Sequence, residues 1–201
     1  MTTQPLPVTR REFLYYVWAA SIACFTAETT GALLWFALPR AHANKFGGPF
    51  TIPPEEIPLP DSLPARYTAG RFWLVNIGTE RATDPRHPQN AVTQPGLAAF
   101  FALCTHEHCD YKWVPINNRF ECPCHGAKFL LDGTRVDGPA QRDLDRFQIR
   151  ALDADGGLLA ATKLGNDHDD STVGQPLALP EGTAAIVIDT GKLIRGHPRS
   201  G

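Results

Sequence analysis

The chain has 201 residues, of which 43% are hydrophobic and 20% are charged, a composition that suits one globular domain with accessory segments rather than a two-domain enzyme. Its 18 Pro and 17 Gly, with a single Met, favour a loop-rich β protein over a helical bundle. The 19 basic and 21 acidic residues give a formal net charge of −2, so no basic field is present to hold nucleic acid and no nucleic-acid partner is expected.

The first predicted element is a long apolar helix. The stretch from Phe13 to Leu38 contains one charged side chain, Glu28. As a helix it would extend about 39 Å, against a hydrocarbon core of about 30 Å. Aromatic residues at both ends and flanking arginines are typical of membrane interfaces, which disfavours the alternative of a buried core helix. We therefore expect a cytoplasmic tail over 1–12 and a transmembrane helix over 13–39, with Glu28 facing a protein partner or a water-filled cleft.

The residues that precede this helix bear on orientation. Arg10 and Arg11, followed by Phe13 and Leu14, resemble the twin-arginine export signal, although ordinary positive-inside flanking is the alternative. Ala41-His42-Ala43 offers a possible cleavage site, but a removable apolar region spans about 7 to 15 residues and this one is far longer. We expect a retained single-pass anchor in the cell membrane, with the rest of the chain on the periplasmic side.

Two further regions follow the helix. Six of the sixteen residues from Pro49 to Pro64 are proline, which predicts a semi-rigid linker or hinge over 40–65. From residue 66 to 201, short β-branched and aromatic segments bounded by Gly, Asp or Pro predict a small antiparallel β barrel or sandwich. Its expected hairpin turns are Asp132-Gly133, Asp155-Gly156-Gly157 and Thr190-Gly191. We interpret 165–180 as a surface loop before a last strand pair over 184–195.

The most informative motif is a group of Cys and His residues. The sequence reads CTHEHC, then twelve residues, then CPCHG, so two short loops each offer thiolates and an imidazole. A structural zinc site uses the same ligand types, but four-coordinate zinc would leave two candidates unexplained among the six potential ligands Cys104, His106, Cys109, Cys122, Cys124 and His125. A plant-type iron-sulfur site needs C-x4-C-x2-C, and that spacing is missing.

The spacing Cys104-x-His106 with Cys122-x-x-His125 resembles the Rieske [2Fe-2S] motif. The resemblance implies one cluster per chain, with the two Cys on the inner iron and the two His on the outer, solvent-facing iron. In the cytochrome bc1-type and b6f-type members, the positions of Cys109 and Cys124 form a disulfide that ties the two loops together. Gly138-Pro139-Ala140 resembles the proline loop that shields the cluster from a third side.

Four positions depart from the family pattern. Glu107 and His108 stand where these proteins commonly have Leu-Gly, and we interpret His108 as an exposed loop residue, with a third iron ligand or proton relay as the alternative. Ala127 and Phe129 stand where high-potential members carry Ser and Tyr. In the family, the hydroxyls of that Ser and Tyr donate hydrogen bonds to a bridging sulfide and to a ligand cysteine sulfur. We therefore expect a low midpoint potential, suited to menaquinol.

The resemblance implies a Rieske-type antiparallel β sandwich/barrel with a cluster-binding subdomain, an all-β fold plus one N-terminal transmembrane helix. It also implies an electron-transfer subunit of a quinol:cytochrome c oxidoreductase, in which His106 and His125 contact the quinol and the electron passes to a c-type cytochrome. A cytochrome b-type subunit would be the membrane partner, and catalysis would belong to the complex. The alternatives are the Rieske small subunit of a molybdenum oxidoreductase of the arsenite oxidase kind and a zinc module without a redox role.

Overall fold

A computed structural model describes residues 8–38, 46–79, 94–165 and 173–198. The chain divides into two compact units, Met1–Arg40 and Ala41–Gly201, which we describe separately. The first contains helix α1, Arg10–Ala37. The strands of the second, within the described ranges, are β1 Pro49–Ile52, β2 Ala65–Tyr67, β3 Phe72–Ile77, β4 Gly96–Phe101, β5 Lys112–Val114, β6 Arg119–Glu121, β7 Lys128–Phe129, β8 Arg135–Asp137, β9 Arg146–Leu152, β10 Leu158–Ala161 and β11 Ala185–Ile194.

Helix α1 confirms the predicted apolar helix and starts three residues earlier than expected. Thr9 is its N-cap: the Thr9 hydroxyl accepts from the Glu12 backbone N–H, and the Glu12 carboxylate accepts from the Thr9 backbone N–H at 2.9 Å. This capping box was readable as Thr-x-x-Glu and explains why the paired arginines lie inside the first turn. The 28-residue helix is long and apolar enough to cross a membrane, by length and composition. The possible cleavage site at 41–43 lies outside the described residues.

Most of the strands form one antiparallel sheet. Its order is β1-β11-β9-β4-β3-β2, and β10 pairs with residues 150–152 of β9. Side chains on one face of this sheet form a core of large apolar residues. They include Phe72, Leu74, Phe147, Ile149 and Ile186.

The second sheet is smaller and carries the candidate site. Its order is β5-β6-β7-β8, with every pair antiparallel. Phe120 and Phe129 of this sheet pack with Phe100 of β4, in a core that also contains Cys104 and Cys122. The two sheets therefore meet over the cysteines, and the all-β class with antiparallel sheets is confirmed.

The turn predictions had mixed outcomes. Turns at Asp132-Gly133 and Asp155-Gly156 are confirmed between β7 and β8 and between β9 and β10, and both glycines have positive φ, +81°. The hairpin at Thr190-Gly191 is wrong, because β11 is one continuous strand with a register shift between Asp189 and Leu193. A β-bulge accommodates the glycine that the sequence pattern assigned to a turn.

The predicted linker also differs from the structure. Residues 49–52 form β1, which pairs with β11, and the Phe50 and Ile52 side chains are buried in the core. Pro49 is tolerated because it is the first residue of an edge strand, where its missing N–H removes little pairing. The ordered β region therefore begins at Pro49 rather than at residue 66. Of the expected loop over 165–180, residues 166–172 lie outside the described ranges.

Candidate metal centre

Two loops of the same backbone design form the site. The N–H of Cys104 donates to the Cys109 carbonyl at 2.8 Å, and the N–H of Cys122 donates to the Ala127 carbonyl at 2.8 Å. Each of these hydrogen bonds joins a cysteine to the residue five positions later, so the backbone of each loop turns back on itself just after a strand or bridge. This closure turns the first cysteine of each loop inward and places the following His near the surface.

The two inward cysteines form a buried thiol pair. The Cys104 residue is 0% exposed and Cys122 is 3% exposed, and both are free of disulfides. Burial is the main reason that the pKa of the Cys104 thiol is raised to about 11, and the hydrogen bond with the Cys122 thiol contributes to this rise. Two thiolates at this point therefore require a compensating positive charge, which a metal supplies.

The two histidine rings lie against each other. The ring centroids of His106 and His125 are 4.9 Å apart and the rings are nearly perpendicular. The Nδ1 atom of His106 is buried and has no hydrogen-bond partner among the described residues, an arrangement that is costly in a folded protein unless the nitrogen binds a metal. The Nε2 atom of His106 lies on the opposite side of its ring, 4.0 Å from a Glu107 carboxylate oxygen.

A disulfide joins the loops. Cys109 and Cys124 are bonded, with their Cα atoms 6.5 Å apart, which confirms the predicted pairing. The sulfurs of Cys109, Cys122 and Cys124 all lie within 4.8 Å of one another, so the disulfide packs against the Cys122 thiol. Six candidate donors thereby separate into two thiols and two imidazoles that can bind metal and two sulfurs that crosslink the loops.

A glycine turn packs on the second loop. A Cβ atom at Gly138 would lie 2.5 Å from the Ala127 Cα atom and 2.7 Å from the Gly126 carbonyl oxygen, so this turn packs directly on the second loop. The Arg135 guanidinium donates to the Gly138 carbonyl, and an Asp137 carboxylate oxygen accepts from the Gly138 N–H at 2.8 Å. Gly138 thus contacts the second loop, and the shielding role of Gly138 and Pro139 stays a prediction.

The remaining predicted residues divide by exposure. The Glu107 side chain is 64% exposed and His108 is exposed. The tip of the first loop is therefore polar, whereas the Leu-Gly pair common in the family would make it apolar. Ala127 and Phe129 are fully buried and supply no hydroxyl.

Sequence reasoning missed a buried hydroxyl near the first loop. Tyr111 is fully buried, and burial raises its pKa well above the ordinary value. Its hydroxyl donates to the Phe101 carbonyl at 2.9 Å, so that proton is not directed at the thiols. Only its position two residues after Cys109 could have suggested this closeness. Sequence reasoning also missed the Arg142–Asp145 ion pair, because charges three residues apart carry no signal of burial.

The sequence of the chain is similar to those of known proteins. A family model described as "Rieske [2Fe-2S] domain" matches residues 86–148. The chain is 42% identical over 153 residues to cytochrome b6-f complex iron-sulfur subunit 3 of Nostoc sp., covering 73% of this chain and 82% of the relative. It is 37% identical over 145 residues to the cytochrome b6-f complex iron-sulfur subunit of Chlorobaculum tepidum, covering 72% and 71%.

Among solved structures, the cyanobacterial plasma membrane Rieske protein PetC3 from Synechocystis PCC 6803 is 28% identical, covering 48% of this chain and 82% of that chain, with a TM-score of 0.31.

Proposed function

The chain belongs to the Rieske [2Fe-2S] protein family, and from that premise we propose that it is the electron-transfer subunit of a quinol-oxidising cytochrome bc-type complex of the b6-f kind. The observation that carries this proposal is a pair of buried thiols and a pair of contacting imidazoles in two loops joined by a disulfide, with one imidazole nitrogen that is buried and has no hydrogen-bond partner among the described residues. The family's cofactor is one [2Fe-2S] cluster, and the donor set fits it.

Cys104 and Cys122 would hold one iron, and His106 and His125 the other. When bound, the cluster supplies one-electron redox chemistry at a potential raised by its two neutral imidazole ligands. The protein keeps both thiols out of water, which leaves the imidazoles as the reachable side of the site.

The histidines have a second task. With Nδ1 of His106 turned inward, Nε2 remains at the surface, where it can exchange a hydrogen bond with a quinol hydroxyl. His125 is exposed and lies against His106, so its ring offers a second contact at the same place. The same surface patch can thus accept the quinol proton next to the cluster that would accept the electron.

Partners follow from the relatives and from α1. The relatives described above are named as subunits of cytochrome b6-f complexes, which favours a b-type cytochrome and a c-type cytochrome as partners over a molybdenum oxidoreductase. Helix α1 would anchor the chain in the membrane, and the paired arginines favour twin-arginine export with the β region on the periplasmic side. The absent Ser and Tyr hydroxyls favour menaquinol.

The test uses the full chain purified from membranes in mild detergent. We expect two iron and two sulfide per chain and, after dithionite reduction, a Rieske-type electron paramagnetic resonance spectrum. Cys104→Ser should abolish this signal, whereas Cys24→Ser, a change at an exposed cysteine on α1, should leave it intact. Zinc in place of iron would refute the redox function. A copurifying molybdenum protein without haem b would refute the bc-type assignment.

A further inference from the structure

A buried ion pair lies behind the first cluster loop. The Arg142 guanidinium donates to both oxygens of Asp145, at 3.0 Å through Nε and 2.8 Å through Nη2. The Asp145 side chain is almost fully buried and also accepts from the Gly196 backbone N–H at 3.0 Å, so the carboxylate is fixed independently of the arginine. Two parallel bonds from a planar guanidinium define its orientation as well as its distance.

Arg142 also holds the first loop at the residue between two proposed ligands. The Thr105 hydroxyl donates to the Arg142 carbonyl at 2.9 Å, and Nη1 of Arg142 faces the Thr105 carbonyl oxygen at 3.5 Å. Thr105 lies between Cys104 and His106 and is buried. One residue therefore contacts this peptide through both its backbone and its side chain.

The guanidinium brings a positive charge to the backbone of the first cluster loop. The hydrogen bonds that Arg142 donates to Asp145 are the main reason that the pKa of Arg142 is raised. Because Nη1 points toward Thr105 while Nε and Nη2 point toward Asp145, the cation lies on the loop side of the pair. Reduction adds negative charge at the cluster, so a fixed cation here favours the reduced state.

We propose that Arg142 is a positioning residue for the cluster, which holds the Cys104–Thr105–His106 backbone and keeps a fixed positive charge at the Thr105 peptide, oriented by Asp145. This inference rests on the proposed function, because it presupposes that Cys104 and His106 bind the cluster.

The experiment measures midpoint potentials of the full-length, cluster-containing chain in detergent, by redox titration monitored by electron paramagnetic resonance. Removing the cation with Arg142→Gln should lower the midpoint, and removing the anion with Asp145→Asn should raise it. Arg142→Lys keeps the charge and should restore most of the potential lost in Arg142→Gln. Lys192→Gln is the matched control: it removes a cation paired with Asp189 on β11 and should not shift the midpoint.

The opposite signs distinguish an electrostatic role from simple loosening. A purely structural pair would shift both variants in the same direction or in neither, and either result overturns the inference. If Arg142→Gln does not retain its cluster, the comparison of Asp145→Asn with Lys192→Gln decides, and no upward shift in Asp145→Asn refutes the inference. Failure of the proposed function looks different, because the unmodified chain would then give no Rieske-type spectrum.

Discussion

His108 and Gly126 occupy the same position in the two cluster loops. Each donates its backbone N–H to the cysteine carbonyl four residues earlier, His108 to Cys104 at 2.9 Å and Gly126 to Cys122 at 3.0 Å. Both backbones are left-handed, with φ of +54° and +74°. A residue with a side chain pays about 1–2 kcal/mol for this conformation, whereas glycine adopts it freely. The first loop therefore carries conformational strain that the second loop avoids.

Exchanging residue types at these two positions should change stability in opposite directions. His108→Gly should stabilise the cluster loop by up to about 1 kcal/mol, since part of the relief is offset by the greater freedom of glycine in the unfolded chain. Gly126→Ala should destabilise by about 1 kcal/mol for conformational reasons alone, because nothing lies within 4 Å of the added Cβ. Thermal loss of the visible circular dichroism of the cluster measures both. Shifts of the same sign would contradict the equivalence of the two positions.

The disulfide should determine how long the cluster is retained. Cys109→Ser removes a crosslink that closes a 15-residue separation and should cost about 3 kcal/mol of loop stability. Cys124→Ser should have the same effect, and the double variant should be no worse than either single variant, because all three lack the same bond. Cluster half-life at a fixed temperature is the readout. A double variant that loses its cluster much faster than the singles would show that the sulfurs act separately.

Close packing at Gly138 gives a steric prediction. Gly138→Ala combines a left-handed φ of +89° with a Cβ atom 2.5 Å from the Ala127 Cα atom, so the covering turn must move away from the second loop. Gly156→Ala is the matched control, because φ is +81° there and nothing lies within 4 Å of the new Cβ. We expect Gly156→Ala to lower the free energy of unfolding by about 1 kcal/mol and Gly138→Ala to lower it by at least twice as much. The Gly138 variant should also lose its cluster faster in air. Equal losses measured by thermal unfolding would mean that the turn does not cover the loop.

The ligand loops could be predicted from sequence because spacing within a short loop fixes which side chains converge. Cys104, His106, Cys122 and His125 are each separated from their loop partner by one or two residues, and the structure places the two cysteines in one core cluster and the two imidazole rings against each other. The strand β1 could not be predicted, since its pairing with β11 joins segments more than 130 residues apart. The Arg142–Asp145 pair was equally hidden, because its burial depends on the C-terminal Gly196.

Glu107 should lower the midpoint potential. Its carboxylate lies 4.0 Å from Nε2 of His106, so it opposes added negative charge at the cluster. The side chain is largely exposed, and interactions of such exposed charges amount to about 0.2–1 kcal/mol. At about 59 mV per 1.4 kcal/mol for one electron, Glu107→Gln should raise the midpoint by roughly 10–40 mV. Glu181→Gln, at an exposed glutamate in a distant turn, should leave it unchanged in the same voltammetric series. A fall in the Glu107 variant would contradict this electrostatic argument.

The absence of two hydroxyls beside the second loop should lower the midpoint potential of the cluster more than the other features do. Ala127 and Phe129 are fully buried beside the second loop, and neither can donate a hydrogen bond to sulfur. The nearby Tyr111 does not replace them, because its hydroxyl donates to the Phe101 carbonyl. Hydrogen bonds to charged groups contribute about 1.5–3 kcal/mol, and they favour the reduced cluster because it is the more negative state. Even part of one such bond amounts to tens of millivolts at about 59 mV per 1.4 kcal/mol.

Ala127→Ser and Phe129→Tyr should therefore each raise the midpoint potential, and the double variant should raise it further. Ala151→Ser and Phe72→Tyr are matched controls, because they add the same hydroxyls at fully buried positions in the other core, and they should leave the potential unchanged. Voltammetry of the full-length, cluster-containing protein measures all five variants against the native chain. We expect the native midpoint in the lower part of the Rieske range of about −150 to +300 mV. A high native midpoint, or no upward shift in the double variant, would contradict this argument. The midpoint potential would then be determined by burial and by the charges of Glu107 and Arg142, and the absence of the two hydrogen bonds to sulfur would not matter.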